Sequence, residues 1–305
     1  MMETRRIGSL EVSVVGLGCN NFGSRLDAEQ TASVVDAALD AGINFLDTAD
    51  IYGKTQSEVF LGRALRGRRD RVVLASKFGM FVDNPDVDAR PEHVRQACDD
   101  SLRRLGVDHL DLYQLHRPDP AVPIAETLGA LDELVRAGKV REIGCSNFSP
   151  GQLREAEAAA AGRARFVSVQ NEYSLIEREP EQGVLQECER LGIAFIPYFP
   201  LASGLLTGKY RLGRPAPEQG RLTEQRYSRL RSDENLQLVE RLIAFAEARG
   251  HTILELAFSW LLTRPSVAPV IAGATTPEQV RGNAASAGWR LTSDDLAELD
   301  GILAA

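Results

Sequence analysis

The chain has 305 residues, of which 44% are hydrophobic and 26% are charged, a balance that excludes a disordered or fibrous protein. Its 35 Lys and Arg residues against 43 Asp and Glu residues give a formal net charge of −8. This negative charge disfavours binding to nucleic acid or anionic lipid along the whole chain, because like charges repel. We therefore expect neither a nucleic-acid partner nor a membrane partner.

The N-terminal residues and the cysteines both favour a cytoplasmic protein. The first eight residues, MMETRRIG, contain no apolar segment, and no apolar run in the chain approaches the ~18 residues of a membrane span. The four cysteines lie far apart, with no C-x-x-C pair and no His pair at zinc spacing. We expect free thiols in a reducing compartment, no disulfide framework and no metal site.

After a short opening β-hairpin, short apolar segments alternate with longer amphipathic ones. Eight of the short segments are rich in Val, Ile, Leu and Phe and are bounded by turn or polar residues, which is typical of strands. The predicted strands are Val14–Gly18, Asn44–Thr48, Arg71–Lys77, Leu110–His116, Val140–Ser146, Phe166–Asn171, Ile193–Pro197 and Val267–Ala272.

Segments with helical spacing separate the strands. Three of them are followed by a glycine, which enters the left-handed conformation without steric cost and commonly ends a helix. These predicted helices are Ala28–Asp40 before Gly42, Pro91–Leu105 before Gly106 and Pro123–Ala137 before Gly138. The Ala-rich segment 155–165 is predicted to form a further helix on the surface.

Eight units of a strand followed by a helix predict a (β/α)8 TIM barrel formed as one domain by residues 1–305. The N-terminal β-hairpin would precede this barrel, and long loops would follow the C-terminal ends of its strands. The alternative is a doubly wound open sheet, which requires a dinucleotide-binding glycine fingerprint after the first strand. Residues 16–21 read GLGCNN, so Asn21 occupies the position of the third glycine. We therefore favour the barrel.

Polar side chains stand at the ends of the second, third and fourth predicted strands. Asp47 ends the second strand, with Tyr52 five residues later, while Lys77 and His116 end the next two. Each residue alone has a structural explanation, such as an Asp that caps a turn or a His buried in the core. However, catalytic residues of TIM barrels come from the ends of several strands. Four such groups on consecutive strands therefore indicate an active site.

The sequence around these residues resembles the aldo-keto reductase family. Residues 44–53, NFLDTADIYG, followed by Ser57-Glu58, are similar to the family signature. The resemblance covers essentially the whole chain and continues in order through residues 75–77, 111–116, 144–148, 170–173, 197–209 and 273–283. It implies a TIM barrel that binds a nicotinamide cofactor, usually NADP(H), and reduces carbonyl groups of small molecules.

The resemblance implies a role for each of the four polar residues. Hydride arriving at a carbonyl carbon places negative charge on the oxygen, which then requires a proton and polar contacts. Tyr52 would donate that proton, and the ammonium group of Lys77 would lower the pKa of the phenol from its usual value near ~10. Asp47 would pair with Lys77 and keep it charged. His116 would hydrogen-bond the carbonyl oxygen and orient the substrate.

The resemblance also implies which residues contact the cofactor. Ser146, Asn147 and Gln170 would hold the carboxamide, and Tyr198 would stack on the nicotinamide ring. The segment 201–209 would bind the pyrophosphate through backbone N–H groups, but it lacks the P-loop pattern, so we reject a nucleotide hydrolase. The full expected set is Asp47, Ser146, Asn147, Gln170, Tyr198, Phe199, Pro200, Leu201, Ser203, Gly204, Lys209, Gly273, Thr275, Gln279 and Asn283.

The chain departs from the family pattern where the adenosine would bind. Many relatives carry Arg or Lys just after the equivalent of residues 273–274, where it holds the 2′-phosphate of NADP, but this chain has Thr275-Thr276. Hydroxyl groups and the helix start at Pro277 would bind phosphate more weakly. We therefore expect NADP(H) and leave NAD(H) open. Gln279 and Asn283 either reach the adenine or form a solvated helix face.

Two further segments have open interpretations. Residues 209–231 contain seven basic and two acidic residues, a local charge of +5, and form either a solvated loop or a lid over an anionic ligand. Several large apolar residues either line a substrate pocket above the nicotinamide or pack in the core. They are Phe22, Phe78, Met80, Phe81, Phe148 and Tyr173.

Two other functions are alternatives to a reductase. Some relatives in the family are cytoplasmic β-subunits of potassium channels, so the alternative is a nicotinamide-binding interaction subunit with little turnover. A glycosidase barrel would use carboxylates such as Asp47 and Asp50, but it leaves Lys77 and Tyr198 without a role. The four intact reacting groups favour an enzyme. We expect it to be a monomer that acts on small carbonyl compounds, with a homo-oligomer left open.

Overall fold

Strands and helices alternate along most of the chain in the computed structural model, which describes residues 2–82, 84–215, 217 and 220–304. The strands in that part of the chain are β1 (Thr4–Ile7), β2 (Leu10–Ser13), β3 (Val15–Gly18), β4 (Phe45–Asp47), β5 (Val73–Phe78), β6 (Met80–Phe81), β7 (Asn84–Val87), β8 (Leu110–Leu115), β9 (Val140–Ser146), β10 (Phe166–Glu172), β11 (Ala194–Tyr198) and β12 (Val270–Gly273). The α-helices are α1 (Ala28–Asp40), α2 (Gln56–Ala64), α3 (Pro91–Leu105), α4 (Ile124–Arg136), α5 (Pro150–Ala160), α6 (Val184–Leu191), α7 (Asp233–Glu247), α8 (Ile253–Leu262), α9 (Pro277–Ala285) and α10 (Ser293–Ala304).

Eight parallel strands form the barrel, in the order β11, β10, β9, β8, β5, β4, β3, β12. The barrel closes between β11, the first strand of this order, and the segment that leads into β12, the last one. There the Phe195 backbone N–H donates to the Ser266 carbonyl at 2.7 Å, and the Ala268 N–H donates to the Phe195 carbonyl at 3.1 Å. The predicted TIM barrel is therefore confirmed, and so is the hairpin of β1 and β2 that precedes it.

Local signals determine where the helices begin and end. α1 and α3 have the predicted bounds, and Gly106 ends α3 in the left-handed conformation with φ 67°. The Ala-rich helix was predicted over residues 155–165, but α5 begins and ends earlier. Ser149 and Gln152 form a capping box at its start, and Ala161 ends it with φ 48°. The capping box therefore sets the start of the helix five residues before the predicted one.

The interior of the barrel is filled by apolar side chains at alternate strand positions. Two of them are Phe45 and Leu112, which are fully buried. The hairpin packs against this cluster from the N-terminal ends of the strands, where the Ser13 N–H donates to Asn44 Oδ1 at 2.7 Å. The Arg5 guanidinium donates to the carbonyl of Val267 at 2.6 Å and to that of Leu262 at 2.8 Å. The hairpin therefore closes the floor of the barrel, and the opposite end holds the large cavity.

The cysteines are free thiols, as the sequence predicts. All four are buried, and burial raises the pKa of both Cys98 and Cys188 to about 12. Among the helices that the structure describes, none combines the length and the apolar composition needed to cross a lipid bilayer.

The inner cluster provides a test of the fold. We expect Phe45→Ala to lower the free energy of unfolding by about 3–5 kcal/mol, because a fully buried aromatic ring is removed from a closed interior. Urea denaturation followed by circular dichroism measures the loss. Phe81→Ala is the matched control, since Phe81 is 39% exposed and should lose less than about 1 kcal/mol. Equal losses would contradict the assignment of Phe45 to the core.

Candidate active site

On several barrel strands, the inward-pointing side chains are apolar in the core and polar at the C-terminal end. Successive side chains of a strand point to opposite sides, so a residue two positions after an inward one also points inward. The apolar residue and its polar successor are Phe45 and Asp47 on β4, Ala75 and Lys77 on β5, Leu112 and Gln114 on β8, and Ile196 and Tyr198 on β11. The strand periodicity therefore brings these polar groups together above the core.

A buried ion pair lies at the centre of the site. Lys77 Nζ is 2.5 Å from Asp47 Oδ2 and donates to the Thr48 carbonyl at 3.0 Å, and the two charged side chains are 0% and 2% exposed. Asp47 Oδ1 accepts from Gln114 Nε2 and Gln170 Nε2, each at 3.1 Å. Burial lowers the pKa of Lys77, but Asp47 and Tyr52 outweigh it, so the pKa lies above its usual value. Lys77 is therefore charged.

Tyr52 lies beside this ammonium group, with Lys77 Nζ 5.2 Å from the centroid of its ring. Burial raises the pKa of Tyr52 above its usual value of 10.0, although Lys77 acts in the opposite direction. The sequence expectation of a lowered pKa is therefore wrong for the protein alone, because desolvation outweighs the charge. The turn that follows Tyr52 is tight. A Cβ on Gly53, which has φ 56°, would lie 2.3 Å from the Phe22 carbonyl oxygen.

His116 follows the end of β8 and meets Tyr52 edge-on, with the ring centroids 5.8 Å apart and an interplanar angle of 78°. Burial lowers the pKa of His116 well below its usual value, and the charges of Lys77 and Arg117 add to this effect. The imidazole is therefore neutral near neutral pH. A neutral imidazole carries one N–H, which can donate to a carbonyl oxygen without transferring a net charge.

A cavity of about 1180 Å³ opens above the ion pair. All the predicted site residues except Lys77 line it, and Lys77 lies directly beneath. The predicted residues on its wall are Asp47, Tyr52, His116, Ser146, Asn147, Gln170, Tyr198, Phe199, Pro200, Leu201, Ser203, Gly204, Lys209, Gly273, Thr275, Gln279 and Asn283. The structure thus brings these residues together, while their role in binding a cofactor stays a prediction.

The residues expected to hold a carboxamide form a hydrogen-bonded group. Tyr198 Oη donates to Asn147 Oδ1 at 2.9 Å, and Asn147 Nδ2 donates to the His116 carbonyl at 2.9 Å. Ser146 Oγ donates to the Gln170 carbonyl at 2.6 Å. Asn147 has φ 62°, a left-handed conformation that asparagine tolerates better than most residues. These hydrogen bonds hold the polar groups in place relative to one another.

The segment after β11 has the features of an anion site. Three non-glycine residues, Phe199, Ala202 and Ser203, have φ of 51°, 45° and 57°, and Gly204 has φ 103°. Ser203 Oγ is buried and has no hydrogen-bond partner among the described residues. Burial and the charge of Arg25 lower the pKa of Lys209, whose ammonium has no ion pair in the described part of the chain. A buried hydroxyl and an unpaired ammonium fit an anionic ligand.

The far end of the cavity is formed by the start of α9. Thr276 caps this helix by accepting from the Gln279 N–H at 3.3 Å, and Gln279 Oε1 accepts from the Thr275 N–H at 2.7 Å. Asn283 is buried and lines the cavity, as does Gln279. The alternative of a solvated polar face is therefore wrong for Asn283.

The described part of segment 209–231 crosses the cavity. Arg221 Nη2 donates to Asn21 Oδ1 at 3.1 Å, in the loop after β3, and Glu224 pairs with Arg25 of the same loop. Leu222, between them, is fully buried. The segment was predicted to be either a solvated loop or a lid, and these contacts favour the lid. Residues 216, 218 and 219 of this prediction lie outside the described residues.

Most of the expected pocket residues belong to the core instead. Phe22, Phe78, Phe148 and Tyr173 are at most 2% exposed and pack between the barrel and its helices, while Phe81 is 39% exposed. Met80 alone among these six lines the cavity.

Sequence reasoning also missed three residues of the site, Gln114, Arg117 and Arg221. Gln114 had a signal, because it is a polar residue on the same strand face as His116. Arg117 is adjacent to His116, but nothing in the residue type marked it as part of the site. Among the described residues, no group of three or more potential metal ligands comes together.

Comparisons with known proteins agree with the architecture. The sequence profile described as "Aldo/keto reductase family" matches residues 14–304. The chain is 36% identical over 306 residues to "Aldo-keto reductase YhdN" of Bacillus subtilis (strain 168), covering 96% of this chain and 91% of that protein. It is 34% identical over 297 residues to "Probable aldo-keto reductase 1" of Glycine max, covering 95% and 85%. The glycerol dehydrogenase AKR11B4 from Gluconobacter oxydans superimposes with a TM-score of 0.87 at 32% identity, covering 99% of this chain and 95% of that one.

One carboxyl group near the site has a buried oxygen without a hydrogen bond. Asp50 Oδ1 is buried without a hydrogen-bond partner among the described residues. Burial and the charge of Glu58 raise the pKa of Asp50 from 3.8 to about 7, although Arg104 acts in the opposite direction. The folded protein therefore binds this proton more tightly than the unfolded chain does. The resulting stabilisation is complete below pH ~4 and is lost as the pH rises to about 7.

We expect Asp50→Asn to remove this loss of stability. We compare the free energy of unfolding of the variant with that of the unchanged protein at each pH. The difference, variant minus unchanged protein, should be roughly 2 kcal/mol larger at pH 8 than at pH 5. Urea denaturation at both pH values measures the change. Asp70→Asn is the matched control, because Asp70 is exposed. An equal difference at both pH values would show that Asp50 does not titrate in this range.

Proposed function

Because the chain belongs to the aldo/keto reductase family, we propose that it is an NADP(H)-dependent oxidoreductase that reduces aldehyde or ketone carbonyl groups to alcohols. The observation that carries this proposal is the buried Lys77–Asp47 ion pair beneath Tyr52 and His116, at one end of a cavity whose other end fits an anion. A similar fold in a glycerol dehydrogenase, which interconverts an alcohol and a carbonyl compound, supports the reaction class.

The residues on the cavity wall fit a nicotinamide dinucleotide. Ser146, Asn147 and Gln170 would hold the carboxamide, and Tyr198 would support the nicotinamide ring. The unpartnered Ser203 hydroxyl and the rest of segment 201–209 would bind the pyrophosphate. Residues at the start of α9 and the end of β12 would then hold the adenosine, namely Gly273, Thr275, Gln279 and Asn283.

The four polar residues at the other end perform the proton chemistry. When bound, NADPH supplies the hydride. Tyr52 keeps its proton up to high pH, because its pKa is raised, and it donates that proton to the substrate oxygen as negative charge develops. The fixed ammonium of Lys77 stabilises the phenolate that remains, and Asp47 prevents the ammonium from moving. The neutral imidazole of His116 donates to the same oxygen and orients the carbonyl.

The choice of NADP(H) over NAD(H) depends on a small set of groups. The N-terminus of α9 and the Thr276 hydroxyl, which accepts from the Gln279 N–H, would face a 2′-phosphate, since helix N-termini favour anions. The Thr275 hydroxyl would have to exchange its hydrogen bond to Gln279 Oε1, at 3.1 Å, for one to the phosphate. Segment 209–231 would cover the bound cofactor, held by the contacts of Arg221 and Glu224 with the loop after β3.

We expect Tyr52→Phe to lower turnover of 4-nitrobenzaldehyde by at least ~100-fold, because the proton donor is lost, while affinity for NADPH changes less than about twofold. Absorbance of NADPH measures turnover, and quenching of intrinsic fluorescence by NADPH and NADH measures affinity and cofactor preference. Tyr113→Phe is the matched control, since the Tyr113 hydroxyl is buried, has no hydrogen-bond partner among the residues that the structure describes, and lies outside the cavity.

Equal turnover in the two tyrosine variants would refute Tyr52 as the proton donor. NADPH binding by the unchanged protein without turnover of any carbonyl compound would favour the interaction subunit instead.

Gln114 is proposed as a positioning residue that acts through Asp47. Gln114→Glu places a carboxyl group of the same size 3.1 Å from Asp47 Oδ1. Protonated, that group still donates a hydrogen bond, but ionised it repels Asp47 and weakens its hold on Lys77. At each pH we compare kcat/KM of Gln114→Glu with that of the unchanged protein. The loss in the variant should be about tenfold larger at pH 8.5 than at pH 5.5. Gln114→Leu is the control, whose loss should not vary with pH, and a pH profile for Gln114→Glu identical to that of the unchanged protein would contradict the role.

A further inference from the structure

The charged side chains around the cavity fall into two groups. One group has local partners, since Asp47 pairs with Lys77, Arg25 with Glu224, and Glu278 with Arg281. The second group consists of cations with no ion pair or hydrogen bond in the described part of the chain, Lys209 and Arg117. Lys209 lies beside Gly204 in the segment proposed for the pyrophosphate.

Arg117 belongs to a different part of the same cavity. It lines the wall directly after His116, and its charge adds to the burial and the Lys77 charge that lower the pKa of His116. At Tyr198 the same charge opposes the burial that raises the pKa to about 12. The guanidinium is therefore within electrostatic range of the groups proposed to bind the carbonyl and the nicotinamide ring. The pyrophosphate segment already contains its own cation, Lys209, so Arg117 is available to a second ligand.

One candidate to neutralise Arg117 is Glu172, whose charge also acts on the pKa of Tyr198. No ion pair joins the two, and the Glu172 carboxyl interacts with Arg229 of the lid instead. Burial and the charge of Glu177 raise the pKa of Glu172, while Arg229 acts in the opposite direction. The positive charge of Arg117 is therefore not compensated within the part of the chain that the structure describes.

Arginine suits one kind of ligand in particular. Its planar guanidinium presents N–H groups in a fixed fork that matches the two oxygens of a carboxylate or a phosphate. Arg117 is exposed at the cavity wall, so a ligand that enters the cavity can reach it without moving the protein. Because Arg117 and His116 line the same cavity and the charge of Arg117 reaches the imidazole, one ligand can contact both side chains.

We propose that Arg117 determines substrate specificity, and that the substrates are short aldehydes or ketones that carry a carboxylate or a phosphate group. This proposal rests on the proposed reductase function and deepens it. His116 orients the carbonyl oxygen for protonation by Tyr52, and Arg117 holds the anionic end of the same molecule. The substrate is thereby fixed at two points, which limits the carbonyl to one orientation over the nicotinamide.

The test compares matched charged and neutral substrates with NADPH. The pairs are succinic semialdehyde with butanal, and glyceraldehyde 3-phosphate with glyceraldehyde. The unchanged protein should show a higher kcat/KM for the anionic member of at least one pair, and Arg117→Gln should lower that anionic-to-neutral ratio about 30-fold. Sodium chloride at 0.5 M should reduce the preference of the unchanged protein, because salt screens the attraction.

Arg66→Gln is the matched control, since Arg66 is exposed, does not line the cavity and changes the net charge by the same amount. It should leave the ratio unchanged. A second measurement needs no turnover of the anion. Succinate, which cannot be reduced here, should compete with butanal, and Arg117→Gln should weaken that inhibition about tenfold.

The outcomes distinguish failure of the proposed anion site from failure of the proposed reductase function. Turnover of both members of each pair with equal kcat/KM, or a ratio unaffected by Arg117→Gln, overturns the anion site and leaves the reductase function standing. Absence of NADPH oxidation with every aldehyde overturns both. A preference for the anionic substrate only in the succinic semialdehyde pair identifies a carboxylate as the group bound. A preference only in the glyceraldehyde 3-phosphate pair identifies a phosphate. Each result supports the proposal.

Discussion

An ammonium group and a carboxylate group, both removed from water, hold the active-site end of this barrel together. Burying two charges costs several kcal/mol for each ion, and their attraction compensates only when the remaining polar atoms are satisfied. Here they are satisfied, because Lys77 also donates to the Thr48 carbonyl and Asp47 accepts from Gln114 and Gln170. These contacts connect four strands, β4, β5, β8 and β10. The position of Tyr52 above Lys77 therefore depends on the alignment of half of the barrel.

The same burial sets the protonation state of each reacting group. Desolvation keeps the phenol of Tyr52 protonated and the imidazole of His116 neutral, whereas Lys77 keeps its charge because Asp47 is in contact with it. The site thus holds one proton donor, one neutral hydrogen-bond donor and one fixed positive charge before any ligand arrives. Electrostatic groups that are already in place need no reorganisation during the reaction.

Much of this arrangement could be predicted from the sequence, because it depends on local patterns. The eight barrel strands were found from their apolar composition, and their common direction placed Asp47, Lys77 and His116 at one rim. Strand starts were less accurate. Val267, predicted to begin the last strand, lies three residues before β12, and Arg71 ends a short 3₁₀ turn. An apolar side chain is buried equally well in a strand and in the segment leading to it, so hydropathy does not locate the first ladder hydrogen bond.

The errors in the site have a related cause. The sequence left Phe78 open between the pocket and the core, but it follows the inward Lys77 and therefore points outward to the helices. The type of residue gives its hydrophobicity but not the side of the sheet, which depends on register. The pKa of Tyr52 depends on how completely neighbouring elements exclude water, which only the assembled structure shows. Arg117 was missed for the same reason, since an arginine without a partner is recognised only when its surroundings are known.

The hairpin that closes the floor of the barrel has a consequence for the order in which the chain folds. Arg5, near the N-terminus, donates to three carbonyls in residues 262–267, just before the final strand β12. During synthesis these acceptors leave the ribosome long after Arg5, because more than 250 residues separate them from it in the chain. The apolar side of the hairpin must therefore stay uncovered for most of translation. Completion of the barrel is therefore a late, long-range event, and nascent chains are open to wrong association until these contacts form.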